Sequence, residues 1–369
     1  MGTGNMDEVT QTLLSCALVC RAWLHRARLH LYAKIRLSST RISKFQSTLK
    51  KNRHFPLTFI KTMAISCGHY PISVLLATKL QNLTYLELTE MDLALEHPLS
   101  TRSVLTRSVR SLVLQGLKGC TVSSVLRFIN SFHCVNTLQL HFSLKELGYG
   151  RQILPPPNPI LNRSLTRLEL SLIPGVDQLL CWYARERVFF GSLKALHLHL
   201  QSFPKDNLPL YLQGVHGLLN QCANTLEELT LSVVQMSKID QVSEICRSIF
   251  SLCEIDILMI LVTLPLFPKL RKISWSNRPY VFEGDQNLYQ YVARQLGSIE
   301  APCKISEVVL AIDLEEYNQS TQDDMRRIDR VLVGDRFPGL QRVQVFPTVP
   351  LDCFSSLRAG GILVSGDDW

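Results

Sequence analysis

The chain has 369 residues, with 39 Lys+Arg against 31 Asp+Glu, a formal charge of +8, 46% hydrophobic residues and only 19% charged ones. A disordered chain would be poor in apolar residues and rich in charge, so this composition excludes one and leaves ample material for a core. The charge is unevenly placed: residues 1–60 hold 10 Lys/Arg and 2 Asp/Glu, whereas residues 61–369 hold 29 of each.

The first predicted element is an amphipathic helix carrying Leu13, Leu14, Ala17, Leu18 and Val19, with Trp23 just beyond it. Asp7 and Glu8 precede this apolar run, and Arg21, Arg26 and Arg28 follow it. A secretory signal has the opposite polarity and a small-residue cleavage site, so the run reads as structure. A short basic helix then leads into a strand over Lys34–Leu37, and Ile42, Phe45 and Leu49 form the apolar stripe of a further helix. Basic residues from Arg21 to Arg53 could contact phosphates. They alternate with core leucines, however, and lack the interleaved aromatics of a single-strand binder, so nucleic acid is not the expected partner.

From residue 32 onward one spacing recurs, apolar-x-x-apolar-x-apolar. It starts at Tyr32, Ile60, Leu83, Val109, Val135, Leu165, Leu193, Leu226, Leu270, Ile305 and Leu340, at intervals of 28, 23, 26, 26, 30, 28, 33, 44, 35 and 35 residues. The last four residues of each unit alternate, which predicts a short strand with one apolar face. Helix-period stripes lie between strands: Val122, Val125, Leu126, Ile129 and Phe132 after an N-cap at Thr121, and Met325, Ile328 and Leu332. Connections of this length make neighbouring strands parallel. The 44-residue interval has room for an extra helical segment over about residues 238–252.

A closed barrel and an open solenoid both satisfy this order. Barrel strands are buried on both faces and apolar throughout. Here alternate strand positions are polar: Tyr85 and Glu87, Thr137 and Gln139, Arg167 and Glu169, Glu228 and Thr230. The expected fold is therefore α/β, an open leucine-rich-repeat-like solenoid with a parallel concave sheet and convex helices. The match to the repeat consensus is partial, because Met91, Leu117, Ser143 and Ile173 stand where a buried Asn or Cys is expected. The polar strand face is the expected partner-binding surface. Its candidate contacts are Tyr85, Glu87, Gln139, His141, Arg167, Glu169, His197, His199 and Glu228, whose mixed charges suit a protein partner of unknown identity.

Residues 12–37 resemble the second half of an F-box. That motif has an apolar helix, then Val-Cys-Arg-x-Trp, then a basic helix ending in an aromatic and a strand, and here its centre is Val19-Cys20-Arg21-Ala22-Trp23. The order of motif and repeats is similar to that of fungal F-box proteins with a leucine-rich-repeat-like array. The resemblance implies a partial helical F-box-like module over residues 1–37 and an irregular solenoid over residues 38–369. It also implies adaptor contacts from Leu13, Leu14, Leu18, Val19 and Trp23. The family's opening Leu-Pro-x-Glu helix has no counterpart in residues 1–11, so the module is expected to be truncated. The function implied is a non-enzymatic substrate-recognition subunit of a cullin–RING ubiquitin ligase, reached through a Skp-type adaptor. The alternative is a repeat-based interaction scaffold without the ligase link. A third reading, an enzyme on an α/β barrel, requires a closed ring of strands.

No G-x-S-x-G, H-E-x-x-H or Walker-type loop occurs, and Gly148-Tyr149-Gly150 before Pro155-Pro156-Pro157 reads as a loop. No catalytic residue and no cofactor is expected. His197 and His199 share one strand face near Glu169, which admits zinc geometrically, but the preferred reading is a ligand-facing polar surface with no metal. Eleven cysteines without a C-x-x-C are expected to be small buried hydrophobes in the cytoplasm or nucleus. The apolar stretch 257–267 contains Pro265 and is too short to span a bilayer, so no membrane association is expected.

Overall fold

In a computed structural model the described residues are 11–16, 21–51, 57–66, 80–92, 108–117, 125, 128–141, 164–172, 192–201, 208–234, 267–277, 288–299, 302–312, 319–346 and 349–365. The chain divides into two compact units, residues 1–164 and 165–369.

Unit one opens with helix α1 (residues 11–16), α2 (Arg21–Ala33), β1 (Lys34–Leu37) and α3 (Ser39–Lys51). Trp23 lies beyond α1 and within the first turn of the basic helix α2. β2 (Thr62–Ser66), β3 (Tyr85–Thr89), β4 (Ser111–Gln115) and β5 (Thr137–His141) follow. Successive strands pair in parallel, β1 with β2 through to β4 with β5. β1 is the first strand of the sheet and pairs with β2.

Unit two contains β6 (Arg167–Leu172), β7 (Ala195–Gln201), α4 (Leu208–Cys222), β8 (Glu228–Val234), β9 (Lys272–Asn277), α5 (Leu288–Gly297), β10 (Glu307–Ala311), α6 (Gln319–Leu332), β11 (Arg342–Val345), α7 (Ser355–Ala359) and β12 (Leu363–Ser365). Its strands also pair in parallel and in chain order, from β6 to β12. β1 does not join β5 and β6 does not join β12, so neither sheet closes on itself. The fold is α/β with open parallel sheets in which a strand pairs only with its sequence neighbours, the order of a repeat array rather than a barrel.

The leucine spacing explains the core. The second and third apolar positions of each motif fall on one strand face. Met63, Leu86, Leu112, Leu138, Leu168, Leu196, Leu229, Ile273, Val308 and Val343 are all at most 2% exposed. Each such side chain contributes about 1.5–3 kcal/mol by leaving water. The predicted helix stripes bury with them: Ile42 in α3, Val125, Ile129 and Phe132 before β5, and Met325, Ile328 and Leu332 in α6. Phe45 and Leu49 are half-buried. Thr121, Val122, Leu126 and the segment 238–252 lie outside the described residues.

Strand starts are locked by a repeated hydrogen-bond pattern. One carbonyl accepts two consecutive backbone N–H groups from the next unit: Lys61 O from Thr84 and Tyr85, Thr84 O from Arg110 and Ser111, Lys194 O from Glu227 and Glu228, Arg271 O from Ser306 and Glu307. Both lone pairs of these carbonyls are used, so the backbone donors at these four strand starts are satisfied. After the strands, Glu90 and Gly116 take the left-handed conformation, at φ 56° and 60°. Their N–H groups donate to the ends of the next strands, at Gln115 O and His141 O respectively, both at 2.9 Å, and the left-handed backbone turns the chain off the strand direction there. Met91 and Leu117, one residue further on, are buried apolar groups at the consensus Asn position.

Among the described residues, no helix is long and apolar enough to cross a membrane. The described cysteines Cys16, Cys134, Cys222, Cys303 and Cys353 are thiols, with Cys222 and Cys353 buried and the others half-buried.

Candidate functional site

Parallel register stacks the outward strand positions into rows. In unit one, Tyr85 and Glu87 stand on β3, and the Tyr85 hydroxyl donates to Glu87 Oε2 at 3.2 Å. Gln139 pairs in register with Val113, and His141 with Gln115. Val113 is only 5% exposed, so an apolar residue interrupts the polar row between Glu87 and Gln139.

In unit two the sequence-selected residues come together. Glu169 on β6 is in register with His197 on β7, and Ser171 with His199. The side chains then cross diagonally. His199 Nε2 lies 2.8 Å from Glu169 Oε1, while His197 Nε2 lies 2.8 Å from Ser232 Oγ on β8. His197 Nδ1 faces Glu169 Oε2 at 4.0 Å. The two imidazoles lie against each other with centroids 4.0 Å apart and planes tilted by 37°. Ser232 Oγ continues the line to Ser276 Oγ on β9.

This arrangement corrects one expectation. His199 was expected on the solvent-facing side but is buried at 8% exposure, and Ser171, Ser232 and Ser274 on the same strand face are buried as well. Ser171 and Ser232 sit beside the longer imidazoles, and the adjacent, hydrogen-bonded rings cover one another. Val309 and Ala311 are also buried on this face of β10, so the polar alternation fails there.

A second row was missed in the sequence. The first residues of successive strands are Arg167, Ala195, Glu228, Lys272, Glu307 and Arg342. Their charges alternate except at Ala195. That small side chain lets Arg167 reach across β7 to Glu228, at 3.6 Å. Lys272 pairs with Glu307 at 2.9 Å. One position earlier, Lys194 pairs with Glu227 at 3.0 Å and holds its carboxyl below the usual range. Aligning the repeats on their first strand residue exposes this alternation, which is hidden when each strand is read alone. Because neighbouring charges of opposite sign pair off, the row adds order to the strand starts and leaves a net charge of only +1 across it.

The Glu169–His197–Ser232 line has the residue types of a catalytic triad but not its geometry. Glu169 gives its near oxygen to His199, and His197 Nδ1 stands 4.0 Å from the other. Ser232 is 4% exposed and shares its hydroxyl with Ser276, so it offers no accessible nucleophile.

Of the five residues expected to face an adaptor, Leu13 is half-buried, and Leu14 and Trp23 are 52% and 53% exposed. Leu18 and Val19 lie outside the described residues, as do Gly148 to Gly150 and Pro155 to Pro157. No protein-family model and no curated protein matches this chain.

Proposed function

We propose that this chain is a substrate-recognition subunit of a cullin–RING ubiquitin ligase, holding a target protein on the polar strand face and a Skp-type adaptor on its N-terminal helices. The observation that carries this reading is Trp23. It ends the motif Val19-Cys20-Arg21-Ala22-Trp23, sits on α2 directly before the first strand, and exposes half of a large aromatic surface. Exposed indole is costly to leave in water and is a frequent anchor at protein interfaces. Leu14 and Leu29 add exposed apolar surface on the same N-terminal helices. The partner face offers paired carboxylates, imidazoles and hydroxyls, groups that recognise a polar protein surface.

The test is capture of a purified Skp-type adaptor by the full chain, with Trp23→Ala and Leu14→Asp as variants. Binding that weakens at least about tenfold in either variant supports the reading. Absence of binding, even with an F-box first helix supplied upstream, removes the ligase link. The second reading is then a repeat-based interaction scaffold. It is favoured by the His197–Ser232 and His199–Glu169 pairs, which form a recognition surface independent of α1 and α2.

A further inference from the structure

We propose that the cleft at the end of α6 binds the phosphate group of a small phosphorylated molecule whose hydroxyls meet Asp335, with a sugar phosphate as the class that fits. The inference goes beyond the ligase reading and does not depend on it. The cleft has a volume of about 460 Å³ and is lined by Arg327, Arg330, Val331, Gly334, Asp335 and Arg336. That volume is in the range of small-molecule sites, about 300–1,000 Å³. Three arginines against one aspartate leave the lining at +2. A phosphomonoester at neutral pH carries about −1.5 to −2, so the charges match.

The arginines on and after α6 are of two kinds. Arg326 faces Asp323 at 3.0 Å, and Arg358 on α7 faces Asp352 at 3.5 Å, so both are taken up in ion pairs. Among the described residues no carboxylate closes an ion pair with Arg327, Arg330 or Arg336, although Asp335 shares their cleft. Arg327 and Arg294 act on the Asp324 carboxylate only at longer range. Any helix C-terminus favours cations, but that effect needs no fixed geometry. Here two guanidiniums are held. Arg330 Nε donates to Arg326 O at 3.3 Å, and Arg336 Nη1 donates to Gly297 O, at the end of α5, at 2.7 Å. Each spends one of its five N–H donors and keeps the rest. The turn bearing Arg336 is fixed as well. Gly334 N–H donates to Val331 O, Phe337 N–H to Gly334 O, and Cys303 N–H to Arg336 O, with the Phe337 ring buried. A guanidinium fork engages two phosphate oxygens at once, and forks held in advance lose little entropy on binding. Asp335 selects the rest of the ligand. A carboxylate only accepts hydrogen bonds, so it repels a bare phosphate and suits a ligand with hydroxyls to donate. Val331 offers apolar wall to the carbon skeleton.

The experiment titrates the full chain by calorimetry with ribose 5-phosphate, inorganic phosphate and ribose. Ribose 5-phosphate should bind one to one and at least about tenfold more tightly than inorganic phosphate, and ribose should not bind. Arg330→Gln and Arg336→Gln should each weaken it by about tenfold or more, and so should Arg336→Lys, which keeps the charge but loses the fork. Asp335→Asn should narrow the gap between the two phosphates. Arg358→Gln, an arginine already paired elsewhere in unit two, should change nothing. All these side chains are exposed, and circular dichroism checks the fold of each variant. Should Arg336→Gln fail to fold without its bond to Gly297, Arg327→Gln carries the test. No heat with ribose 5-phosphate, equal loss in Arg358→Gln, or full affinity in Arg336→Lys overturns the proposal. Binding of a phosphothreonine peptide without binding of ribose 5-phosphate overturns it too. Adaptor capture is read separately, so failure here leaves the ligase reading standing, and the reverse also holds.

Discussion

Asp329 on α6 accepts the backbone N–H of Leu357 through Oδ1 at 2.9 Å, and its other oxygen accepts the N–H of Ser356 at 3.0 Å. Asp329 is 3% exposed. A carboxylate this buried is costly unless it is fully hydrogen-bonded, and here it fills the unsatisfied donors at the start of the short helix α7. α7 has no side-chain cap of its own, so this long-range bond replaces the local one. It ties the last helix and β12 to α6.

Replacing Asp329 by Ala should therefore destabilise unit two by about 2–3 kcal/mol, since two buried N–H groups lose their acceptor. Asp329→Asn retains one acceptor oxygen and should cost less. Urea unfolding of both variants measures the difference. Equal stability of the wild type and Asp329→Ala would show that water or another group serves these donors equally well.

The turn after β4 gives a second prediction. Gly116 has φ 60°, and a Cβ added there would meet nothing nearer than 3.7 Å, at the Glu90 nitrogen. Gly116→Ala should thus cost about 1 kcal/mol through backbone conformation alone, without a clash. Glu90, at the equivalent place after β3, already bears that strain as a non-glycine residue with φ 56°. Glu90→Gly should accordingly leave stability unchanged or raise it slightly, although the more flexible unfolded chain offsets part of the gain. Thermal melts of the two variants should move in opposite senses. A shared direction would mean that side-chain contacts, not φ, decide this turn.

Much of this architecture was legible in the sequence, because leucine spacing reports directly which strand face is buried. All eleven predicted strands are present, from Ile35 in β1 to Val343 in β11. β12 was not legible. Gly360 stands where the leading apolar residue belongs and Ser365 where the last one does, so its motif is blank at both ends. The site was half legible. His197, His199 and Glu169 were selected from alternation, but alternation assigns a side and not a depth, and it placed His199 in solvent. Its burial arises from diagonal reach across strands, which only register defines. Ser232 and Ser276 gave no signal at all, since a serine between apolar residues looks the same paired or unpaired.

Cys222 closes α4 and makes the protein sensitive to alkaline pH. Burial pushes its thiol from an ordinary value of 9.0 up to about 12. The unfolded chain then loses this proton above about pH 9 while the folded chain retains it, so stability is unaffected below that pH and falls as pH rises toward about 12. The slope for one such group is up to about 1.4 kcal/mol per pH unit. Burial moves Tyr291, Cys303 and Cys353 upward as well, and their effects add in the same direction. Urea unfolding between pH 8 and pH 11 should show this decline, and Cys222→Ala should flatten it whatever its effect at neutral pH. An unchanged slope in that variant would show that Cys222 already ionises in the folded protein.

The charge row at the strand starts makes a collective prediction. Lys272 stands in register between Glu228 and Glu307 and pairs with Glu307 at 2.9 Å. Lys272→Glu places three carboxylates side by side on adjacent strands. Like charges directly across strands are unfavourable, so the cost should be about 1 kcal/mol at low salt and should shrink as salt screens it. Swapping the pair, Lys272→Glu with Glu307→Lys, tests whether the pair is independent. The exchanged pair is intact, but the new Glu faces Glu228 and the new Lys faces Arg342. If alternation along the whole row matters, the double variant recovers little of the lost stability. Full recovery would reduce the row to a set of separate surface ion pairs, each worth at most about 1 kcal/mol.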